Sequence, residues 1–164
     1  MGSGKTTIGQ LLAKRLSLPF VDSDHELEAR TGVSVATIFE IEGEPAFRAR
    51  EAQIIDELTL RHPIILGTGG GAVLSASTRE ALRSRGTVIY LHSTPEISFE
   101  RVKRNRDRPL LKVTDPLARL SQLYELRHPL YRETAHYVVE SYRDRPSAVV
   151  TEIGQLTETP RPHE

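Results

Sequence analysis

The sequence predicts an α/β fold, a parallel sheet covered by helices on both faces. Three observations carry that expectation. Short β-branched runs alternate along the chain with longer stretches of helical periodicity, the pattern from which parallel sheets are built. Residues suited to chemistry gather just past the strands, at Asp22 and Asp24 and again at Gly69-Gly70-Gly71. Ligands of open α/β sheets bind in that position, beyond the carboxyl ends of the strands. The 164 residues suit one domain.

The elements follow in order. The N-terminal glycines run into Ile8, Leu11, Leu12 and Leu16, whose spacing gives one apolar helical face. Leu18-Pro19-Phe20-Val21 reads as a short strand with Asp22-Ser23-Asp24 at its end. Residues 24–61 read as mostly helical, with breaks near Gly32 and at Gly43-Glu44-Pro45. Pro63-Ile64-Ile65-Leu66 is a second strand and leads to the triple glycine. A helix over 76–85 stops at Gly86, and Thr87-Val88-Ile89-Tyr90-Leu91 is a third strand. Pro95 opens a helix, and residues 105–115 form a charged, proline-bearing loop expected to be a lid. A helix follows to about 134, then a fourth strand at Tyr137-Val138-Val139 and a last helix over 146–156. The single domain is expected to span 1–156, with a loose tail over 157–164.

Composition narrows the function. Lys plus Arg number 22, as do Asp plus Glu, so the basic excess of a nucleic-acid binder is missing. Aromatics are 5% with no Trp, which disfavours a base-stacking platform. With no Cys, disulfides, thiolate metal sites and Cys nucleophiles are excluded, and a cytoplasmic location is expected. No apolar run approaches the ~18 residues of a membrane span, so no membrane partner is expected. The six His lack metal-ligand spacing.

Gly2-Ser3-Gly4-Lys5-Thr6-Thr7 is the second half of a Walker A loop. Its glycines let backbone N–H groups curl around phosphate, and the following helix points its positive end at the same anion. Lys5 would reach the β- and γ-phosphates of ATP, and the Thr6 hydroxyl would ligate Mg²⁺. Asp22 and Asp24 read in two ways. An Asp-x-Asp at a strand end is commonly a helix cap and turn. Beside a phosphate loop, one carboxylate can support Mg²⁺ while the other faces an acceptor hydroxyl. Gly69, Gly70 and Gly71 either form a loose turn or bring bare backbone against a ligand. Arg48, Arg127 and Arg108 are either solvated charges or forks for a carboxylate or phosphate.

The ordered series G-S-G-K-T-T, D-S-D, G-E-x-x-F-R, G-G-G-A, R-P-L-L and R-x-P-L-Y-R resembles the signature of the shikimate kinases over residues 1–153. That resemblance implies a P-loop fold of five parallel strands in the order 2-3-1-4-5. It implies phosphorylation of shikimate by ATP with Mg²⁺, by a chain expected to act as a monomer. Gly2 through Thr7 then resemble the ATP phosphate loop, with Thr6 and Asp22 serving the metal. Asp24 resembles the residue that meets the shikimate hydroxyls. Arg48 and Arg127 resemble the grip on the acid's carboxylate, and Gly69 to Gly71 the backbone along its ring. Arg108 resembles a lid arginine that closes on the transferring phosphoryl group. Arg101 resembles a residue near the adenine, and a late adenine contact falls within 142–146. Lys5, Asp24 and Arg108 form the catalytic set.

Two rival functions fit parts of the pattern. A kinase of another polyol acid, such as gluconate, would share the phosphate loop. A nucleotide-binding module that does not catalyse would fit the short start. Strand 1 and the first Walker A glycine are missing from this sequence, and the expectation is that a strand and a Gly precede Met1 in the natural product.

Overall fold

The computed structural model describes residues 2–103, 113–141 and 145–158. Helix α1 (Lys5–Leu16) follows the phosphate-loop sequence directly and leads into β1 (Phe20–Asp22), α2 (Ser23–Thr31) and α3 (Val35–Leu58). Strand β2 (Ile65–Gly67) precedes a 3-10 turn (Ala72–Leu74) and α4 (Ala76–Arg85). Then come β3 (Ile89–His92), α5 (Pro95–Val102), α6 (Pro116–Thr134), β4 (Tyr137–Glu140) and α7 (Pro146–Glu158).

Local chemistry sets these boundaries. Ser34, Ser75, Thr94 and Asp115 cap α3, α4, α5 and α6, each side chain accepting from a backbone N–H of the first turn. Gly32 ends α2 at φ 73°, in the left-handed region where a Cβ is costly. Gly43 (φ 82°, ψ 170°) breaks the helical geometry within α3, just ahead of Pro45. The expected break at 43–45 is therefore present, as the turn at Gly43 where two helical stretches of α3 meet.

The strands are parallel, as the alternation requires. β1 pairs with β2, with Val21 beside Leu66, and β3 pairs with β4, with Leu91 beside Val139. Among the described residues no ladder joins the two pairs. With strand 1 left out, the order 2-3-1-4-5 gives these same two pairs. Each strand starts or ends within two residues of its expected bounds, because short strands end where partners end.

Two apolar clusters hold the layers. Ile8 and Leu12 of α1 meet Val139 of β4 and Val149, Val150 and Ile153 of α7, with Ile65 of β2 and Ile89 and Leu91 of β3 packed against them. Helices α1 and α7 thus cover both strand pairs. On the other face, Leu27, Ile38, Phe47, Ile54 and Leu58 pack with Val21 and Leu66. Leu11 and Leu16, expected on the buried face of α1, stay exposed, so its apolar stripe is narrower than the sequence suggests. α7 runs two residues beyond the expected 156, with the Thr157 hydroxyl donating to the carbonyls of Ile153 and Gly154. Arg108, most of the expected lid and residues 159–164 lie outside the described residues. None of the described helices is long and apolar enough to cross a membrane.

Candidate active site

A cleft of about 840 Å³ runs between the two strand pairs, from Val88 and Thr134 near the amino ends of β3 and β4 to Gly2–Thr7, Asp22 and Gly69–Gly71 beyond the carboxyl ends. One end is formed by Gly2 to Thr7. Gly4 holds φ 83° as the N-cap of α1 and offers no side chain to the first-turn N–H groups. Such a terminus is suited to an anion. Lys5 Nζ lies 2.6 Å from Asp22 Oδ2, both partly buried. The other Asp22 oxygen caps α2, accepting from the N–H groups of Asp24 (3.0 Å) and His25 (3.4 Å). Asp22 therefore fulfils the cap reading and also faces the phosphate loop. Arg101 Nη1 donates to the Gly2 carbonyl (3.0 Å) and Nη2 to the Ser141 carbonyl (2.8 Å), tying the loop's start to the end of β4.

The opposite end is built around the triple glycine. Arg48 lies on Gly71 so closely that a Cβ there would overlap the guanidinium. A Cβ on Gly69 would stand 2.6 Å from Glu51 Oε1 and 3.0 Å from Asp24 Oδ1. A Cβ on Gly70 would meet the Tyr131 hydroxyl at 3.1 Å and Arg127 Nη1 at 3.5 Å. Asp24, Arg48, Arg127 and the three glycines thus converge, as the sequence reading expects. Arg48 is aimed by its neighbours. Its Nη1 donates to Glu51 Oε2 (2.6 Å), and Nε and Nη2 donate to Glu44 Oε1 (3.2 and 3.1 Å). The guanidinium sits over the rings of Phe47 (5.0 Å) and Phe39 (5.8 Å).

The electrostatics are strained here. Burial pushes the Asp24 carboxyl above its ordinary range; Lys5 and Arg48 oppose the shift, while Asp22 and Glu28 reinforce it. Burial also raises Glu51, against the pull of Arg48. Glu51 is only 4% exposed, and its Oε1 has no hydrogen-bond partner, nor does the buried Arg127 Nε. Buried polar atoms are nearly always satisfied, so each exception calls for an explanation such as a ligand or water that the group meets.

The sequence model of the shikimate kinases matches residues 1–158. The chain belongs to the shikimate kinase family. It is 57% identical over 141 residues to the shikimate kinase of Ralstonia nicotianae, covering 86% of this chain and 74% of that one. It is 55% identical to that of Dechloromonas aromatica, covering 85% and 76%. Among solved structures, the shikimate kinase from Acinetobacter baumannii in complex with shikimate matches with TM-score 0.92 at 46% identity, over 96% of this chain and 88% of that one. The Aquifex aeolicus shikimate kinase matches with TM-score 0.84 at 35% identity, over 96% and 92%.

Membership of the shikimate kinase family does not by itself reveal two residues that the sequence reading missed. Glu51 steers Arg48, and its signal was the i, i+3 spacing from that arginine on one helix face. Tyr131 lies one turn beyond Arg127 and donates to the Gly70 carbonyl. It stands within the R-x-P-L-Y-R motif, so its position was visible although its role was not.

Proposed function

We propose that the chain transfers the γ-phosphoryl group of ATP to the 3-hydroxyl of shikimate, giving shikimate 3-phosphate and ADP. One observation carries this reading: an anion-binding loop and a paired-arginine surface share one cleft, with Asp24 under the influence of both Lys5 and Arg48.

Phosphoryl transfer depends on positioning and charge neutralisation more than on covalent help. The N–H groups of Gly2 to Thr7 receive the phosphate oxygens, and Lys5 turns from Asp22 toward the β- and γ-phosphates. Thr6 and Asp22 supply hydroxyl and carboxylate oxygens of the kind Mg²⁺ accepts. Mg²⁺, when bound there, offsets phosphate charge. Arg48 and Arg127 take the acid's carboxylate through forked, charge-assisted hydrogen bonds. Gly69 to Gly71 let the ring approach the backbone. Asp24 receives the proton of the attacking hydroxyl, and its raised carboxyl makes it a stronger base than an ordinary one. Arg101 lies toward the adenine. Arg108 and the lid over 105–115 close on the transferring group and exclude water. The working unit is one domain that runs through the end of α7, a monomer that draws on cytoplasmic ATP.

The test is ADP release with MgATP and a panel of acids, with the phosphorylated product identified by phosphorus NMR. Shikimate should be consumed and gluconate left intact. Turnover of gluconate with shikimate untouched would overturn the reading, and the absence of ADP release with either acid would favour a module that only binds nucleotide. Light scattering at working concentration tests the monomer.

A further inference from the structure

Helix α6 carries both Arg127 and Tyr131, yet Pro129 lies between them. Proline has no N–H, so the helix loses one i→i−4 hydrogen bond at the turn that must aim those two side chains. Something else has to fix the direction of this turn.

A cluster of rings fills that role. Glu140 of β4 accepts from His92 Nδ1 of β3, at 2.9 and 3.0 Å from its two oxygens. His92 Nε2 stands 2.9 Å from the Tyr124 hydroxyl on α6. The Tyr124 ring stacks on His128 at 4.6 Å and 19°. His128 Nδ1 lies 3.0 Å from the Tyr90 hydroxyl of β3. The Tyr90 ring packs at 4.9 Å on Tyr131, whose hydroxyl donates to the Gly70 carbonyl. The contacts run unbroken from the end of β4 to the loop that lines the acid.

We propose that Tyr90, His92, Tyr124 and His128, closed by Glu140, form a positioning network that holds the middle of α6 so that Arg127 and Tyr131 face Gly70, and that a proton on His128 breaks this network and weakens binding of the acid substrate. The inference rests on the shikimate reading for its substrate.

Proton bookkeeping gives the network a defined state. Glu140 accepts, so His92 carries a proton on Nδ1, and its Nε2 meets the Tyr124 hydroxyl, which can donate or accept. Burial holds the Tyr90 hydroxyl far above its ordinary range, so it keeps its proton and can donate as well as accept. In the network as proposed, Tyr90 donates to His128 Nδ1, the ring being neutral with its proton on Nε2. Protonation on Nδ1 reverses this bond: the Tyr90 hydroxyl must turn to accept, and its own proton loses its partner. The groups facing His128 resist that proton. Burial, His92 of β3 and Arg132 of α6 itself hold its pKa below the usual 6.5. Charges on the other elements packed on α6 are engaged elsewhere. Arg79 of α4 pairs with Glu133, and Arg83 donates to the carbonyls of Glu133 and Ala135. Arg101 of α5 holds Gly2 and Ser141, and Glu100 pairs with Lys103, while Glu96 sits in the first turn of α5.

The experiment combines NMR with steady-state kinetics on the whole chain. Long-range ¹H–¹⁵N spectra should show a proton on His92 Nδ1 and His128 as the Nε2–H tautomer at neutral pH. This readout is independent of activity, so it separates failure of the network from failure of the shikimate reading. In the unmodified protein, KM for shikimate should rise as the pH falls through the lowered pKa of His128, while KM for ATP stays level. His128→Leu and Tyr90→Phe should each raise KM for shikimate roughly 5- to 20-fold with kcat and KM for ATP within about twofold. His128→Asn keeps an acceptor that does not titrate. It should restore KM at neutral pH and abolish the acid-side rise. An Nδ1–H tautomer for His128, an acid-side rise that survives in His128→Asn, or equal losses for shikimate and ATP would each overturn the proposal. If His128→Leu fails to fold, Tyr90→Phe and His128→Asn still decide the question.

Discussion

At the scale of single residues, the end of the cleft proposed for the acid depends on side chains left out as much as on those present. Gly71 gives up its Cβ so that Arg48 can lie flat on its backbone. Gly71→Ala should therefore push Arg48 aside. The loss of a charge-assisted hydrogen bond costs about 1.5–3 kcal/mol, or roughly 10- to 150-fold in affinity. That loss should appear in KM for shikimate, with KM for ATP unchanged; an equal loss for both substrates would contradict the assignment. Asp24 offers a second test through pH. Its pKa is raised, so at saturating shikimate kcat should fall as the pH drops through that raised value and the carboxylate is lost as a base. Arg48 pulls the pKa down, so Arg48→Met should move this acid limb of kcat to higher pH. A limb that stayed in place would show that Asp24 does not govern it. The site was legible in the sequence where a residue type is chemically committed, as with Lys5 after glycines or paired carboxylates at a strand end. Glu51 was hidden because an acidic residue on a helix is ordinarily a solvated one, and only the packing shows it almost fully enclosed.

At the scale of elements, the kink in α3 sets the direction of the helix that carries Arg48 and Glu51. Gly43 holds φ 82°, and the Glu42–Arg50 ion pair spans the bend with Arg50 Nη2 2.8 Å from Glu42 Oε2. Gly32 has a similar φ of 73° but ends a different helix and has nothing within 4 Å of a Cβ. A side chain in the left-handed region costs roughly 1–2 kcal/mol. For a chain of this size each kcal/mol is worth about 2–4 °C in Tm. Gly32→Ala and Gly43→Ala should both lower Tm by this mechanism, but only Gly43→Ala should also raise KM for shikimate. A KM effect of the same size in both would show that the kink does not aim the site. The helices were legible from caps and glycines because those signals are local. The strands were blurred by one or two residues because pairing with a distant partner decides where a strand stops, and the sequence shows no partners. The kink's φ was likewise invisible, since a Gly-Glu-Pro run marks a break without stating its angle.

At the scale of the whole molecule, the two strand pairs are joined by helices and by the site itself. Helices α1 and α7 cover both pairs through one apolar cluster. The acid grip proposed for Arg48 and Arg127 spans the same division. Arg48 and Glu51 stand on α3, packed over the β1–β2 pair, while Arg127 and Tyr131 stand on α6, linked to Tyr90 and His92 of the β3–β4 pair. A ligand held by Arg48 and Arg127 together therefore ties one half of the molecule to the other. Binding to the folded state alone stabilises it by about 2.7 kcal/mol at a ligand concentration of 100 Kd. At about 2–4 °C per kcal/mol, shikimate at that concentration should raise Tm by roughly 5–11 °C. Arg127→Ala should remove most of the shikimate shift at the same concentration and leave the shift produced by MgATP intact, because Lys5 and the phosphate loop lie at the other end of the cleft. Thermal unfolding followed by circular dichroism, with each ligand alone, checks this. A full shikimate shift in Arg127→Ala would mean that the acid is held by one half of the molecule only, and the bridging argument would fail.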